Sequence, residues 1–522
     1  MRIRIFALCF VVIAPTLLAA TQQQSSSDRL ERAAEFIRQG QPARAEVELN
    51  AVLRVAPHDS NALNLLGVIR AQQKREVEAE QLFLRALKQS PTLVGAYLNL
   101  RRLYLDQQKN ERALWAFTEA SKLAPDRTDI NFNVAALYAE QRAYERAISY
   151  LEKIPRATWA AEQFYLVIDC YLRIERTDEA LALVGPLARP GVVTADEAAG
   201  LAAVFIKHSL PDQAIQILSA ARQREPDSYA LLYQLGASYA QKGEWNRAEE
   251  FYTAALAAKP DDVLTLRGLA GAARERGELE KAMAYLVRAR KLAADSPAVL
   301  YDFGLTALQM DLVLDALPAF ERLQHQRPDE PAYLYMLAVA CYRHDEKART
   351  ETLMRRYIKL RPGDAIGYYV LGATLYTVKR NDEARRNLEQ SLKLGANADA
   401  EYLLGMIADN EGKTEDALRW LQSVLKVSST HAGAHTALGT IYARQKNYPL
   451  ARAELEQAIQ LNARDLRAHY QLGLVYAKLG DNEQAQKMFD RADQLRDEQR
   501  NQESVGLKLI DPPPLPGTPR RH

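Results

Sequence analysis

Small and large apolar residues recur along this chain with a fixed period. Steps of about 34 residues from Ala45, two of them one position shorter, reach Ala79, Ala113, Ala147, Ala180, Ala214, Ala248, Ala282, Ala316, Thr350, Ala384, Ala417, Ala451 and Ala485. Four residues beyond each stands a large side chain, from Leu49, Phe83 and Phe117 through Phe320 and Met354 to Leu455 and Phe489. Residues four apart share one face of a helix. Twelve residues before each alanine lies a second small slot, held by Gly67, Gly236, Gly304, Gly372, Gly405, Gly439 and Gly473, and by alanine in several other units. Leucine often precedes that slot, as Leu66, Leu235 and Leu472 do, and an aromatic such as Tyr104, Tyr138 or Tyr239 often follows three residues on.

The pattern predicts two helices per period. A small residue on each of two consecutive helices lets their backbones approach, and the large residue one turn away fills the adjoining hole. Proline can open a helix but not continue one, so Pro57, Pro91, Pro125, Pro226, Pro260, Pro328 and Pro362 close their units. Polar turns such as Gly243-Glu244, Gly277-Glu278, Gly412-Lys413 and Gly480-Asp481 separate the two helices of a unit.

This arrangement resembles the tetratricopeptide repeat family. Its run of Leu-Gly, a following aromatic, then Ala, a large residue and Pro stands in LGASYAQKGEWNRAEEFYTAALAAKP (Leu235–Pro260) and in LGLVYAKLGDNEQAQKMFDRA (Leu472–Ala492). The resemblance spans residues 26–499, in units running from 26–59 to 466–499. It implies an all-α solenoid of about fourteen helix-turn-helix units, stacked into a right-handed superhelix with a concave inner face. Some positions depart from the pattern: Arg32 fills the leucine slot of the first unit, which suits a capping repeat, while Arg101 and Ile168 fill small slots. Pro155, Gly185-Pro186 and Pro190-Gly191 predict an irregularity over 154–196, either a local distortion or a hinge. Pro318 falls inside an expected helix.

Composition narrows the function. Of 522 residues, 48% are apolar and 26% charged, and 68 basic against 66 acidic side chains leave a net charge of +2. That balance argues against a nucleic-acid or acidic-membrane binder. Residues 1–20, MRIRIFALCFVVIAPTLLAA, run from two arginines through an apolar stretch to small residues, the order of a secretory signal peptide. A cut near Ala20 would release a polar lead-in, 21–27, and an exported chain, periplasmic or secreted; the alternative is retention as an N-terminal anchor. The mature chain is not expected to insert in a membrane. Residues 506–522, GLKLIDPPPLPGTPRRH, cannot extend a helix and are expected to form a disordered tail. Cys170 and Cys341 fall five units apart, beyond the ~7 Å that a disulfide tolerates, so both are read as buried free thiols.

The resemblance also implies a binding face. Tyr165, Tyr233, Tyr301, Tyr335, Tyr369, Tyr402 and Tyr470, with Phe132, recur in one slot of the first helices. In the family that slot faces the concave groove, where tyrosine offers area with few rotors to freeze; the same rings can instead pack against a neighbouring helix. Arg102, Arg173, Arg267, Arg274, Arg343 and Arg444 fall on the same implied face, with Asn133, Asp169, Asp302 and Asp409. Mixed charge suits a polypeptide better than a phosphate polymer. One subset of the family grips a C-terminal carboxylate with lysine in this row and asparagine one turn on. Here those asparagine slots hold Ala34, Val68, Ala136, Ala203, Ala237 and Gly271, so that clamp is not implied. His431, His435 and His469 could meet across neighbouring helices, but two of them fill packing slots, and no metal or cofactor is expected.

No phosphate-binding glycine loop, GxSxG or HExxH motif is present. The sequence therefore reads as a non-catalytic scaffold or adaptor of the cell envelope that binds an extended or helical segment of a partner protein. The alternative is a guide or carrier for envelope polysaccharide, since tyrosine rows also stack on sugars.

Overall fold

The computed structural model describes residues 14–395 and 397–500. Most of the expected signal segment and all of the 506–522 tail lie outside the described residues. The described chain is helical throughout, with no strand, and none of its helices is long and apolar enough to cross a membrane. It divides into two units, Met1–Pro226 and Asp227–His522.

Both units are built from antiparallel helix pairs of about one repeat each. Ser60–Gln72 with Glu76–Gln89 is a regular pair of the first unit, and Tyr229–Gln241 with Trp245–Ala258 one of the second. Several first helices begin at a capped position or with a proline. The Asp59 carboxylate accepts from Ala62 N–H at 2.8 Å, Asp465 does the same for Ala468 at 2.9 Å, and Pro297 and Pro331 each stand in the first turn, where no N–H is missed.

The two sequence slots meet in space. Every residue of the alanine series is buried. A methyl group added at Gly67 would lie 2.6 Å from the Phe83 ring, one at Gly236 2.6 Å from Tyr252, one at Gly304 2.7 Å from Phe320 and one at Gly473 2.7 Å from Phe489. The offset along the chain is the same each time, so the large side chain of the second helix fills the notch left in the first. Tyr252 is also 2.7 Å from a methyl built at Gly268, and so wedges between two successive first helices. Where Arg101 replaces glycine, its guanidinium lies over the Phe117 ring, at that same offset and 4.1 Å from the centroid.

Within each pair the chain reverses through one residue with left-handed backbone. Glycine holds that position at Gly40, Gly243, Gly277, Gly412 and Gly480, while Lys74, Gln108, Arg142, Glu175, Ser209, Asp311, Asp345, Lys379 and Lys446 hold it with φ of 58° to 65°. The turn is closed by bonds such as Glu244 N–H to the Tyr239 carbonyl at 3.0 Å. Tertiary packing thus holds nine side-chain-bearing residues where about 1–2 kcal/mol opposes them.

The first unit is irregular over its fifth pair. A 3-10 turn, Arg156–Thr158, precedes the first helix Ala161–Arg173, and the Trp159 indole N–H donates to the Ile154 carbonyl at 2.9 Å. The expected second helix is split into Thr177–Leu181 and Val184–Leu187. Pro186 lacks the N–H that would continue it. Pro318, by contrast, is exposed inside the unbroken helix Val313–Gln326 of the second unit.

Candidate functional site

The tyrosine row is placed by the first helices, and its rings mostly turn into packing. In the second unit Tyr301, Tyr335 and Tyr369 are buried, Tyr335 to 1% exposure. Tyr301 meets Phe320 at 6.3 Å between centroids, Tyr335 meets Tyr357 at 6.1 Å, and Tyr233 meets Tyr252 at 5.7 Å, so each leans on a large residue of its own pair. Burial pushes the Tyr301 and Tyr369 hydroxyls well above the ordinary phenol range. A row of rings facing a ligand is therefore corrected at these three positions. Tyr233 and Tyr402 are half-buried, Tyr402 against the His431 ring at 4.9 Å, and Tyr470 is 41% exposed.

The residue just after each small slot lies one turn beyond the tyrosine and shares its face. In the second unit Ala237 and Gly271 are half-buried there, and Leu305, Val339, Ala373, Met406 and Thr440 are buried. The face opens further at the last pair, where Leu474 is 39% exposed beside Tyr470. In the first unit the equivalent positions are Val68, Arg102, Ala136, Asp169 and Ala203. Val68, Ala136 and Asp169 are half-buried, and Arg102 and Ala203 are exposed. Phe132 and Tyr165 are half-buried there, and Asn133 is exposed. Asn99 donates to the Asn64 side chain at 2.9 Å on the same face. The accessible first-helix face is thus concentrated in residues 60–207, with smaller side chains and more polar ones.

The arginines divide in the same way. Arg267 donates to Asp302 at 2.7 Å, Arg343 to the Leu308 carbonyl at 2.5 Å, and Arg444 pairs with Asp409. Each of these partners lies on the next or previous first helix, so these three arginines tie neighbouring repeats together rather than await a ligand. Arg173 donates to Asp169 at 3.2 Å, and among the described residues Arg102 has no ion-pair partner. Asp169 also receives Lys207 Nζ at 2.9 Å and His208 Nε2 at 2.7 Å. Burial works to raise the Asp169 carboxyl, but bonds from His208, Lys207 and Arg173 outweigh it and hold it below the usual range. Lys207 and His208 were not singled out in the sequence; their offset from Asp169, slightly more than one period, is the signal that marks a neighbouring first helix.

The histidines have structural duties. His431 Nδ1 accepts from Ala434 N–H at 3.0 Å as a helix cap, His435 donates to Glu454 at 2.6 Å, and His469 Nε2 donates to the Ala463 carbonyl at 3.1 Å. Among the described residues, no three His, Cys, Asp or Glu side chains gather as metal ligands. Cys170 and Cys341 are buried and free, and burial pushes both thiols up to about 12.

Models of the tetratricopeptide repeat match residues 30–93, 98–162, 206–270, 240–301, 301–365, 369–432 and 466–499, and a further repeat model matches 439–480. The chain belongs to the tetratricopeptide repeat family. Its helix pairs are therefore tetratricopeptide repeats, and the notch filled from the second helix of each pair is their packing device. Among solved structures it is similar to the Cut9–Hcn1 hetero-tetramer of the APC/C, with 12% identity, 88% of this chain and 97% of that chain covered, and a TM-score of 0.41. It is similar also to yeast Tom70, with 16% identity, 84% and 96% coverage and a TM-score of 0.36. A third is Naa15/Naa10 bound to HypK-THB, at 12% identity, 90% and 94% coverage and 0.37. No curated protein matches the sequence.

Proposed function

We propose that this tetratricopeptide repeat protein is a non-catalytic scaffold of the cell envelope, exported under the direction of residues 1–20, that holds a segment of another protein against the first helices of its N-terminal unit. Repeats of this family bind protein partners. The observation that carries the reading is the contrast along the first-helix face. Residues that could meet a ligand are spent on internal packing through most of the second unit, and left accessible at Arg102, Phe132, Asn133 and Ala203 in the first. An extended segment lying there finds amide groups, one free guanidinium and half-buried aromatic rings, a surface suited to main-chain hydrogen bonds and a few side-chain contacts. Polysaccharide carriage would need open ring faces along the tyrosine row, and Tyr301, Tyr335 and Tyr369 offer none.

The test is co-purification of the tagged full chain from chemically crosslinked cells. A chain with Arg102, Phe132 and Asn133 all replaced by alanine, and with unchanged helical circular dichroism, is expected to lose a partner protein that the wild type retains. Equal recovery of that partner by both chains would overturn the reading. Processing near Ala20 and recovery with the periplasmic fraction are expected, and an unprocessed cytoplasmic product would overturn the envelope assignment.

A further inference from the structure

The pair of first helices Ala161–Arg173 and Ala195–Lys207 differs from every other in how its charges are laid out. Successive first helices touch along the array, and these two also pack on each other, past an intervening second helix that is broken. Tyr165 seals the contact: its hydroxyl donates to the Glu197 carbonyl at 3.0 Å, and a methyl built at Gly200 would lie 2.8 Å from that hydroxyl. At the N-terminal end stand Glu162 and Asp196, both exposed and, among the described residues, without a cationic partner. Burial first, and then the negative charges of Glu197, Glu162 and Asp196, push the Tyr165 hydroxyl upward. At the C-terminal end Arg173 and Lys207 share one carboxylate, Asp169, with side-chain exposures of 37% and 54%. The two cations exceed the one anion they hold.

An acid in the first turn and a base in the last both favour the helix dipole. Yet among the described first helices of this unit only these two carry both. The dipole is available to all of them, so it does not account for the selection. The result is a face with uncompensated negative charge at one end, excess positive charge at the other, and Tyr165 and the exposed Ala203 between.

We infer that this face reads an extended segment of a partner protein by two opposite charges set a fixed distance apart. From Glu162 to Arg173 is eleven helical steps, roughly 16 Å. An extended chain advances about 3.3 Å per residue, so the matching segment carries a lysine or arginine and an aspartate or glutamate about five residues apart. The basic residue sits between Glu162 and Asp196, and the acidic one joins Asp169 between Arg173 and Lys207. Small residues between the charges let the segment's backbone lie close at Ala203. This inference rests on the first-helix face being the binding face, and adds to it the chemistry of the segment bound.

The test places the photo-crosslinker p-benzoylphenylalanine at Ala203, and separately at Phe132, in the full chain inside its own cells, with captured segments sequenced by mass spectrometry. Capture at Ala203 is expected to yield a segment with opposite charges about five residues apart. Lys207→Glu is expected to lower that capture about tenfold and Lys207→Arg to preserve it, since a charge is being read. Segments without the paired charges, or capture at Ala203 indifferent to Lys207→Glu, would overturn the inference and leave the binding face standing so long as Phe132 still captures a partner. Absence of capture at both positions would remove both.

Discussion

His435 donates through Nδ1 to Glu454 at 2.6 Å, and one repeat later the same two slots hold His469 and Met488. Both histidines use Nε2 alike, donating at 3.1 Å to the carbonyl six residues back, Ser429 or Ala463. His469 Nδ1 is therefore a buried polar atom without a hydrogen-bond partner among the described residues. An unmet buried group costs about 1–3 kcal/mol, and because the ring donates from Nε2, Nδ1 is an acceptor that a side-chain amide N–H at the missing position can meet. Met488→Gln is expected to strengthen the last repeat by about 1 kcal/mol, read as slower amide exchange in Leu466–Leu479. Glu454→Ala is expected to speed exchange in Ala432–Arg444. A Met488→Gln chain that exchanges faster would contradict this.

Acid acts on the second unit through Asp262. Burial would raise its carboxyl, but the Tyr229 hydroxyl at 2.7 Å, the Thr265 N–H and hydroxyl at 2.8 Å and the Lys259 ammonium outweigh this and hold it down to about 2. A group whose folded value is depressed stabilises the fold above its unfolded value, near 3.9, and loses that contribution as pH falls toward the folded one. About 2 kcal/mol is expected to disappear between roughly pH 4 and pH 2. Urea melts of wild type and Asp262→Asn across that range check it. The variant is expected to be weaker at neutral pH and flatter with acid, and parallel curves would contradict it.

The tyrosine row predicts a failure to fold rather than a failure to bind. Tyr335 is enclosed, so Tyr335→Ala leaves a cavity and is expected to cost about 3–5 kcal/mol locally, by analogy with other aromatic truncations. Repeat arrays unfold by neighbouring units, so amide exchange across Pro331–Leu360 is expected to rise first. Tyr470→Ala, at a 41% exposed ring, is expected to change exchange little. Equal effects at both positions would contradict the assignment of one ring to packing and the other to surface.

The repeat architecture was legible because each unit restates the same contact. Gly236 and Tyr252 touch for the reason that Gly304 and Phe320 do, and so many copies of the small and large slots left little room for another fold. The turns were half legible: Gly243, Gly277, Gly412 and Gly480 announced themselves, whereas Lys74, Gln108 and Lys379 adopt the same backbone only because the packed pair compels it. The binding face was least legible. Whether Tyr301 or Tyr165 meets solvent depends in part on the next unit, which sets the Tyr333 ring 6.4 Å from Tyr301 and the Glu197 carbonyl against the Tyr165 hydroxyl. No single unit's sequence contains that part of the information. The interrepeat ties were readable in part, since Arg267 with Asp302 and Arg444 with Asp409 are each separated by one repeat and one position.

The proposed binding face places partner contact on the first helices of the N-terminal unit. A photo-crosslinking scan of the full chain in its own cells tests it most directly, with p-benzoylphenylalanine placed in turn at Phe132, Ala203, Val77 and Leu314. The last two are 69% and 70% exposed and lie on second helices. One common partner adduct is expected from Phe132 and Ala203 and none from Val77 or Leu314. An adduct formed from Val77 or Leu314 but absent at Phe132 and Ala203 would contradict it.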